Sequence, residues 1–71
     1  MITIQDFLTT CSEPQVKIKY DFVCDFELET VTAANRENVI KSGGDIKIIE
    51  FEIDPSDDII IAYTEPITAN D

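Results

Sequence analysis

Two short segments of this chain alternate between apolar and charged residues, and this alternation constrains the fold more than any other feature. Residues 16–21 have the sequence Val-Lys-Ile-Lys-Tyr-Asp, and residues 25–29 have the sequence Asp-Phe-Glu-Leu-Glu. A period of two with one apolar face is the pattern of a half-buried β-strand. Because only a few residues separate the segments, they predict an antiparallel hairpin.

The charged residues of this hairpin predict its register. A turn centred near Val23 places Lys19 opposite Glu27. The same turn places Lys17 opposite Glu29. Cross-strand pairs of opposite charge contribute about 0.2–1 kcal/mol each and help to fix the register. The prediction therefore requires Lys17 and Glu29 to lie on the same face of the sheet.

The residues before the hairpin predict a short helix. Apolar residues follow the i, i+3, i+4, i+7 spacing of one helical face: Ile4, Phe7, Leu8 and Cys11. Thr3 is the expected N-cap, and Asp6 stands where a capping box needs an acceptor. Pro14 disfavours the helical conformation in the residue before it, so the helix should end ahead of it.

A second helix and a second hairpin are predicted in the rest of the chain. Residues 32–44 combine helix-forming residues with a glycine pair that stops the helix, and Thr32 or Asn35 could cap it. Val39 and Ile40 should point inward. Residues 45–53 and 59–64 are rich in isoleucine and form the strands.

The first strand of this second hairpin is predicted to carry a β-bulge. Its apolar positions are even up to Ile48 and odd from Ile49 onward, and an extra unpaired residue would reconcile the two halves. The sequence Asp-Pro-Ser-Asp-Asp at 54–58 forms the turn, because Pro fixes φ while Asp and Ser bond nearby backbone groups.

Together these elements predict an α+β domain with the order α-β-β-α-β-β and about four mostly antiparallel strands. The 71 residues leave room for one domain, which we expect at residues 1–64, with a frayed tail at 65–71. A hydrophobic content of 44% is too high for a disordered acidic segment.

The chain has no apolar run long enough to cross a membrane, and residues 1–11 lack the basic residues of a signal peptide. We therefore expect a cytoplasmic protein that has no membrane partner. Its two cysteines should be reduced in that compartment.

The net charge indicates the class of partner. Fifteen acidic residues against five basic ones give a formal charge of −10, whereas small domains usually carry a magnitude of about 2–8. A field of this sign attracts basic surfaces and repels nucleic acid. We expect a basic protein surface as the partner, such as a nucleic-acid-binding enzyme, and no direct contact with nucleic acid.

The second hairpin concentrates this charge in an acidic strip, defined here as five residues with no basic residue among them: Glu50, Glu52, Asp54, Asp57 and Asp58. With a turn centred at Ser56, Glu50 and Glu52 face Ala62 and Ile60. Such a run commonly forms a solvated face that prevents strand aggregation. The alternative is mimicry, because carboxylates roughly 6.5–7 Å apart on one strand face resemble a row of phosphates.

The residue types offer little for catalysis. The chain has no histidine, which is the usual acid or base near neutral pH. Cys11 and Cys24 have neither a histidine partner nor a CxxC spacing, and both are expected to be small core residues. We therefore expect no enzyme and no cofactor.

The turn at 54–58 partly matches a calcium loop. Asp54, Ser56 and Asp58 occupy its first, third and fifth positions. However, Ile59 stands at the sixth position, where a sharp turn needs glycine, and a β-branched strand follows instead of a helix. We expect no metal site.

The opening Thr-Ile-Gln-Asp-Phe-Leu at residues 3–8, followed by the alternating strand at 16–21, resembles many small proteins of phages and prophages. In size, acidity and element order the chain is similar to small anti-CRISPR proteins that mimic nucleic acids. The resemblance implies an inhibitor that occupies a basic DNA- or RNA-binding channel of a bacterial defence enzyme. It assigns no individual residues.

Two functional hypotheses follow. The first is a stoichiometric inhibitor that acts through the acidic strip. The alternative is a self-associating structural or interaction module with a solvated acidic face. Its basis is Ile60, which is expected to point away from the main apolar face on a strand at the sheet edge; a homodimer would cover it.

Overall fold

A computed structural model describes residues 2–68, which fold into a five-stranded sheet and two helices. In chain order the elements are β1 (Ile2–Thr3), α1 (Ile4–Thr10), β2 (Gln15–Asp21), β3 (Phe26–Thr32), α2 (Arg36–Gly43), β4 (Lys47–Asp54) and β5 (Ile59–Thr64).

The strand order is β1-β4-β5-β2-β3, in which β2 and β5 are parallel and all other neighbours are antiparallel. The predicted α+β class is confirmed. The sheet has one strand more than expected, because β1 pairs with the start of β4 before the chain enters α1.

Helix α1 begins as its sequence predicts. The Asp6 N–H donates to the Thr3 hydroxyl oxygen at 3.2 Å, and the Thr3 N–H donates to the Asp6 carboxylate at 3.1 Å. Ile4, Phe7 and Leu8 are buried on the predicted face. This helix is therefore specified by local signals, namely a capping box and an apolar period.

Helix α1 ends against Arg36, the first residue of α2. The Arg36 guanidinium donates to three carbonyl oxygens: those of Leu8 (2.9 Å), Cys11 (3.3 Å) and Glu13 (3.0 Å). Carbonyl groups at a helix C-terminus have no intrahelical partner and need one from elsewhere. Arg36 therefore joins the two helices and supplies hydrogen-bond donors to the carbonyl oxygens at and after the end of α1.

Helix α2 is shorter than the predicted segment at 32–44 but presents the expected face. Val39 is buried, and Ile40 is partly buried against the core. Asn35 is the N-cap residue, although its amide bonds the Thr30 carbonyl and the Thr32 N–H instead of capping. Gly44 ends the helix, where an added Cβ would lie 2.5 Å from the Ile40 carbonyl oxygen.

The core lies between the helices and one face of the sheet. It contains Ile4, Phe7, Leu8, Val16, Ile18, Val31, Val39, Ile48 and Ala62. Cys11 and Ile60 pack against it, so the prediction that Ile60 points away from the apolar face is wrong. The expected edge position of its strand is also wrong, because β5 is the central strand. Cys24 is exposed in the loop after β2, and its predicted core position is also wrong.

We call the other side of the sheet the open face; no helix among residues 2–68 covers it.

The predicted register of the first hairpin is wrong by one residue. Lys17 pairs with Thr30 and Lys19 with Leu28, whereas Glu29 lies opposite Ile18. The loop spans residues 22–25, because Asp21 pairs with Phe26, and it is longer than the loop assumed in the prediction. A shift of one residue moves every side chain to the other face. Lys17 and Glu29 therefore lie on opposite faces.

The second hairpin shows the same kind of shift. Glu50 pairs with Tyr63 and Glu52 with Ile61, so the predicted pairing with Ala62 and Ile60 is wrong. The turn extends over residues 55–58, since Asp54 pairs with Ile59.

The predicted turn chemistry and bulge of this hairpin are present. The Asp54 carboxylate accepts the Ser56 N–H at 2.9 Å, and Asp58 adopts a left-handed φ of 58°. The β-bulge is confirmed: Ile48 pairs with Thr64 and Glu50 with Tyr63, which leaves Ile49 without a partner on β5.

The segment after β5 returns hydrogen bonds to the sheet. The Glu65 N–H donates to the Lys47 carbonyl at 2.9 Å, and the Ile67 N–H donates to the Asp21 carbonyl at 2.7 Å. These bonds hold the start of the predicted tail, whereas residues 69–71 lie outside the described residues. Neither helix within 2–68 has the length and apolarity needed to cross a membrane.

Candidate functional site

The open face arranges its side chains in rows that follow the strands. Directly paired residues share a face of the sheet, and the observed registers therefore assign each row. From β4 to β3 the rows are acidic (Glu50, Glu52, Asp54), mixed apolar and aromatic (Ile61, Tyr63), basic (Lys17, Lys19) and apolar (Phe26, Leu28).

All five residues of the acidic strip lie along β4 and the turn that follows it. Glu50 and Glu52 are exposed on the open face, and Asp54 ends the strand. Asp57 and Asp58 continue the strip into the turn, where both are exposed. The alternation of the strand therefore places the carboxylates of Glu50, Glu52 and Asp54 on one face of the sheet.

The strip contains no basic residue of its own, but a lysine from another strand lies beside its turn end. The Lys17 ammonium lies 3.9 Å from the Asp54 carboxylate and 3.7 Å from that of Asp57. Lys17 reaches them from β2, across the β5 residue Ile61, with which it is paired. Glu50 and Glu52 form no ion pair within residues 2–68. Together with Asp58 in the turn, which also has no ion pair in this part of the chain, they are the members whose charge is not offset by a cation.

Tyr63 contacts the middle of the strip. Its hydroxyl donates a hydrogen bond to the Glu52 carboxylate on the neighbouring strand. This bond, together with partial desolvation and the charges of Glu52 and Glu50, raises the pKa of the Tyr63 hydroxyl above its ordinary value of 10.0. Tyr63 stays neutral at physiological pH and limits the freedom of the Glu52 side chain.

Lys19 occupies the centre of the open face over two aromatic rings. Its ammonium lies 5.1 Å from the centroid of Phe26 and 5.8 Å from that of Tyr63. Both distances are within the range of cation–π attraction. The open face thus has an acidic side at β4 and an aromatic-lined basic centre at β2.

Sequence reasoning missed three residues of this surface: Tyr63, Lys17 and Lys19. The alternation identified their strands but placed the lysines beside Glu27 and Glu29. The missing information was the adjacency of β2 and β5, a parallel pair between segments distant in the chain. No local pattern contains that pairing.

The helix side of the sheet carries a separate groove of about 660 Å³ between β3 and α2. Tyr20, Glu27, Glu29 and Ser42 are among its lining residues. The Tyr20 hydroxyl donates to the Glu29 carboxylate at 2.8 Å. Burial and this bond raise the pKa of Tyr20 above its ordinary value. The Tyr20 hydroxyl therefore stays protonated, and the Glu29 carboxylate is engaged by it.

Within residues 2–68, no three cysteine or acidic side chains come together in a way that could hold a metal ion. Asp54 and Asp57 approach the same Lys17 ammonium, but no third carboxylate of the strip joins them. The chain matches no family model, no curated protein and no solved structure.

Proposed function

We propose that this protein is a non-enzymatic, acidic interaction protein that inhibits a basic partner by mimicking nucleic acid. The acidic strip occupies the channel in which a bacterial defence or other nucleic-acid enzyme binds DNA or RNA. Such an inhibitor resembles anti-CRISPR proteins in its mode of action, and it works in the cytoplasm, where these enzymes are found.

The observation that carries the proposal is the position of Glu50 and Glu52. Both are exposed on one face of a strand that is paired along its inner edge, and neither forms an ion pair in the described part of the chain. Alternate residues of a strand are roughly 6.5–7 Å apart. A channel lined with Lys and Arg binds phosphates chiefly through charge, so a comparable row of carboxylates competes for it.

The net charge supports the same function at longer range. A charge of −10 on 71 residues creates a field that steers the protein towards basic surfaces and speeds their association. Because the interaction is electrostatic, it should weaken as the salt concentration rises.

The test is capture from a nuclease-treated bacterial lysate on the immobilised protein at low salt, followed by elution with duplex DNA. We expect DNA to elute nucleic-acid-binding proteins, because both ligands compete for one channel. The double variant Glu50→Gln/Glu52→Gln should raise the Kd for the captured partner by about tenfold, which corresponds to about 1.4 kcal/mol, and the captured amount should fall accordingly.

The matched control is Glu13→Gln/Glu37→Gln, which removes the same charge from two exposed residues outside the sheet. We expect it to retain capture. Equal losses in the two double variants would assign binding to net charge alone and contradict a role for the strip. Failure of DNA to elute the captured proteins would contradict mimicry.

A further inference from the structure

The outer edge of β4 is unpaired over most of its length. Strand β1 pairs only with Lys47 and Ile48, and no other strand among residues 2–68 lies on that side. From Ile49 to Asp54, the backbone groups on this edge are open to another chain. An unpaired edge of this kind is a template for strand addition.

The two faces of this edge differ in chemistry. On the helix side, Phe51 is 48% exposed and Ile53 is 55% exposed; we call these two residues the apolar row. The ring centroids of Phe51 and the buried Phe7 are 5.2 Å apart, so the row packs onto the core at α1. On the open face, Glu50 and Glu52 alternate with the apolar row.

Sheet edges are commonly protected by charged side chains, proline or β-bulges. On the free edge of β4 this protection consists of the bulge at Ile49, three carboxylates and the proline at residue 55. The three charges all lie on the open face and are all negative, so they oppose a strand with an acidic side and attract one with a basic side. The free edge therefore selects a strand whose charged side is positive.

We propose that the free edge of β4 binds, by β-strand addition, an extended segment of a protein partner in which apolar and basic residues alternate. The apolar side chains cover Phe51 and Ile53, while the basic side chains lie beside Glu50, Glu52 and Asp54. This inference rests on the proposed function, because the acidic strip supplies the charged half of the docking surface.

A second copy of this chain is a poorer occupant of the edge. Two copies of β4 paired antiparallel about a two-fold axis keep each face of the sheet on the same side. Every such register places an acidic residue of one copy opposite an acidic residue of the other. When the two-fold axis passes through Phe51, for example, Glu50 of one copy lies opposite Glu52 of the other. Like charges in directly opposed positions are destabilising. Two molecules of charge −10 also repel each other before they meet.

The test uses the ¹⁵N-labelled full chain and a capped seven-residue peptide, Lys-Val-Lys-Val-Lys-Val-Lys, which presents lysines on one side and valines on the other. We expect amide shifts and slowed hydrogen exchange concentrated at residues 49–54. A peptide of the same composition, Lys-Lys-Val-Val-Val-Lys-Lys, loses the alternation and should bind about tenfold more weakly. Equal binding of the two peptides, or shifts spread over the whole acidic surface, would overturn the proposal.

A pair of variants tests the apolar row. Ile53→Lys should reduce binding of the alternating peptide by about tenfold or more, because it places a like charge among the peptide's apolar contacts. Leu28→Lys is the control: Leu28 is 56% exposed and lies on β3, the edge strand at the other end of the sheet. It should leave binding unchanged. Equal effects of both variants would refute edge docking.

Two further outcomes separate this inference from the proposed function. Suppose that capture of the proteins that DNA elutes depends on Glu50 and Glu52 but is unaffected by Ile53→Lys. Strand addition is then wrong and mimicry stands. If the alternating peptide binds at residues 49–54 but DNA elutes nothing from the captured proteins, docking stands and mimicry fails. A dimer in light scattering that Ile53→Lys dissociates would assign the edge to a second copy and overturn the inference.

Discussion

Val23 adopts a left-handed backbone, with φ of 73°, at an exposed position between β2 and β3. This conformation costs L-residues roughly 1–2 kcal/mol, and β-branched residues tolerate it poorly. The Asp21 carboxylate accepts the Val23 N–H at 2.9 Å and helps to hold the loop in place. Glycine relieves this strain but also increases the conformational entropy of the unfolded chain. The net effect of Val23→Gly should be to raise the free energy of unfolding by about 0.5–1 kcal/mol. Urea unfolding measures the change.

The neighbouring residue Cys24 provides the control for this prediction. Cys24 is also exposed in the loop, but its φ is not positive. Cys24→Gly should lower the free energy of unfolding, because it adds flexibility to the unfolded chain without relieving strain. A Val23→Gly protein that unfolds at lower urea than the wild type would show that the valine side chain contributes more than its backbone costs.

At the scale of elements, Arg36 connects the end of α1 to the start of α2 through hydrogen bonds to three carbonyl oxygens. A charge-assisted hydrogen bond contributes about 1.5–3 kcal/mol, and partly exposed carbonyls recover some of that from water. Arg36→Met should therefore lower the free energy of unfolding by about 2 kcal/mol. Lys41→Met, which changes the same charge at an exposed position of α2, should change it by less than about 0.5 kcal/mol. Similar losses in both variants would attribute the effect to charge instead of to the bonds.

The elements differ in how far the sequence predicts them, because some depend on neighbouring residues alone and others depend on loop geometry or on contacts between distant segments. Helix α1 was predicted with its cap and buried face because every signal lies within eleven residues. Both hairpins were predicted as strands, yet each register was wrong by one residue. Alternation is compatible with loops of different length, and only the geometry of the loops at 22–25 and 55–58 decides between them. The residues of the acidic strip were identifiable from composition, whereas the approach of Lys17 to Asp54 depends on the parallel β2–β5 pair.

At the scale of the whole molecule, the charges are close enough to act on one another. The principal extents of the described residues are 34 × 25 × 22 Å, and the Debye length at about 0.01 M salt is about 30 Å. Mutual repulsion among the acidic residues therefore destabilises the folded state at low salt. Three of the five basic side chains have assigned roles in the described structure: Arg36 bonds carbonyls, Lys19 lies over aromatic rings, and Lys17 pairs with the strip.

Salt should consequently stabilise the fold, and Lys17 should control how strongly it does so. Raising NaCl from about 0.01 M to about 0.15 M shortens the Debye length to about 8 Å. We expect the melting temperature to rise by about 5 °C, which corresponds to roughly 1 kcal/mol for a domain of this size. Lys17→Met leaves Asp54 and Asp57 without their cation, so its melting temperature should be lower at low salt and should rise more steeply. Lys41→Met makes the same change in net charge away from the strip and should retain the wild-type salt dependence. Parallel salt curves for the two variants would mean that the strip has no local repulsion for Lys17 to offset.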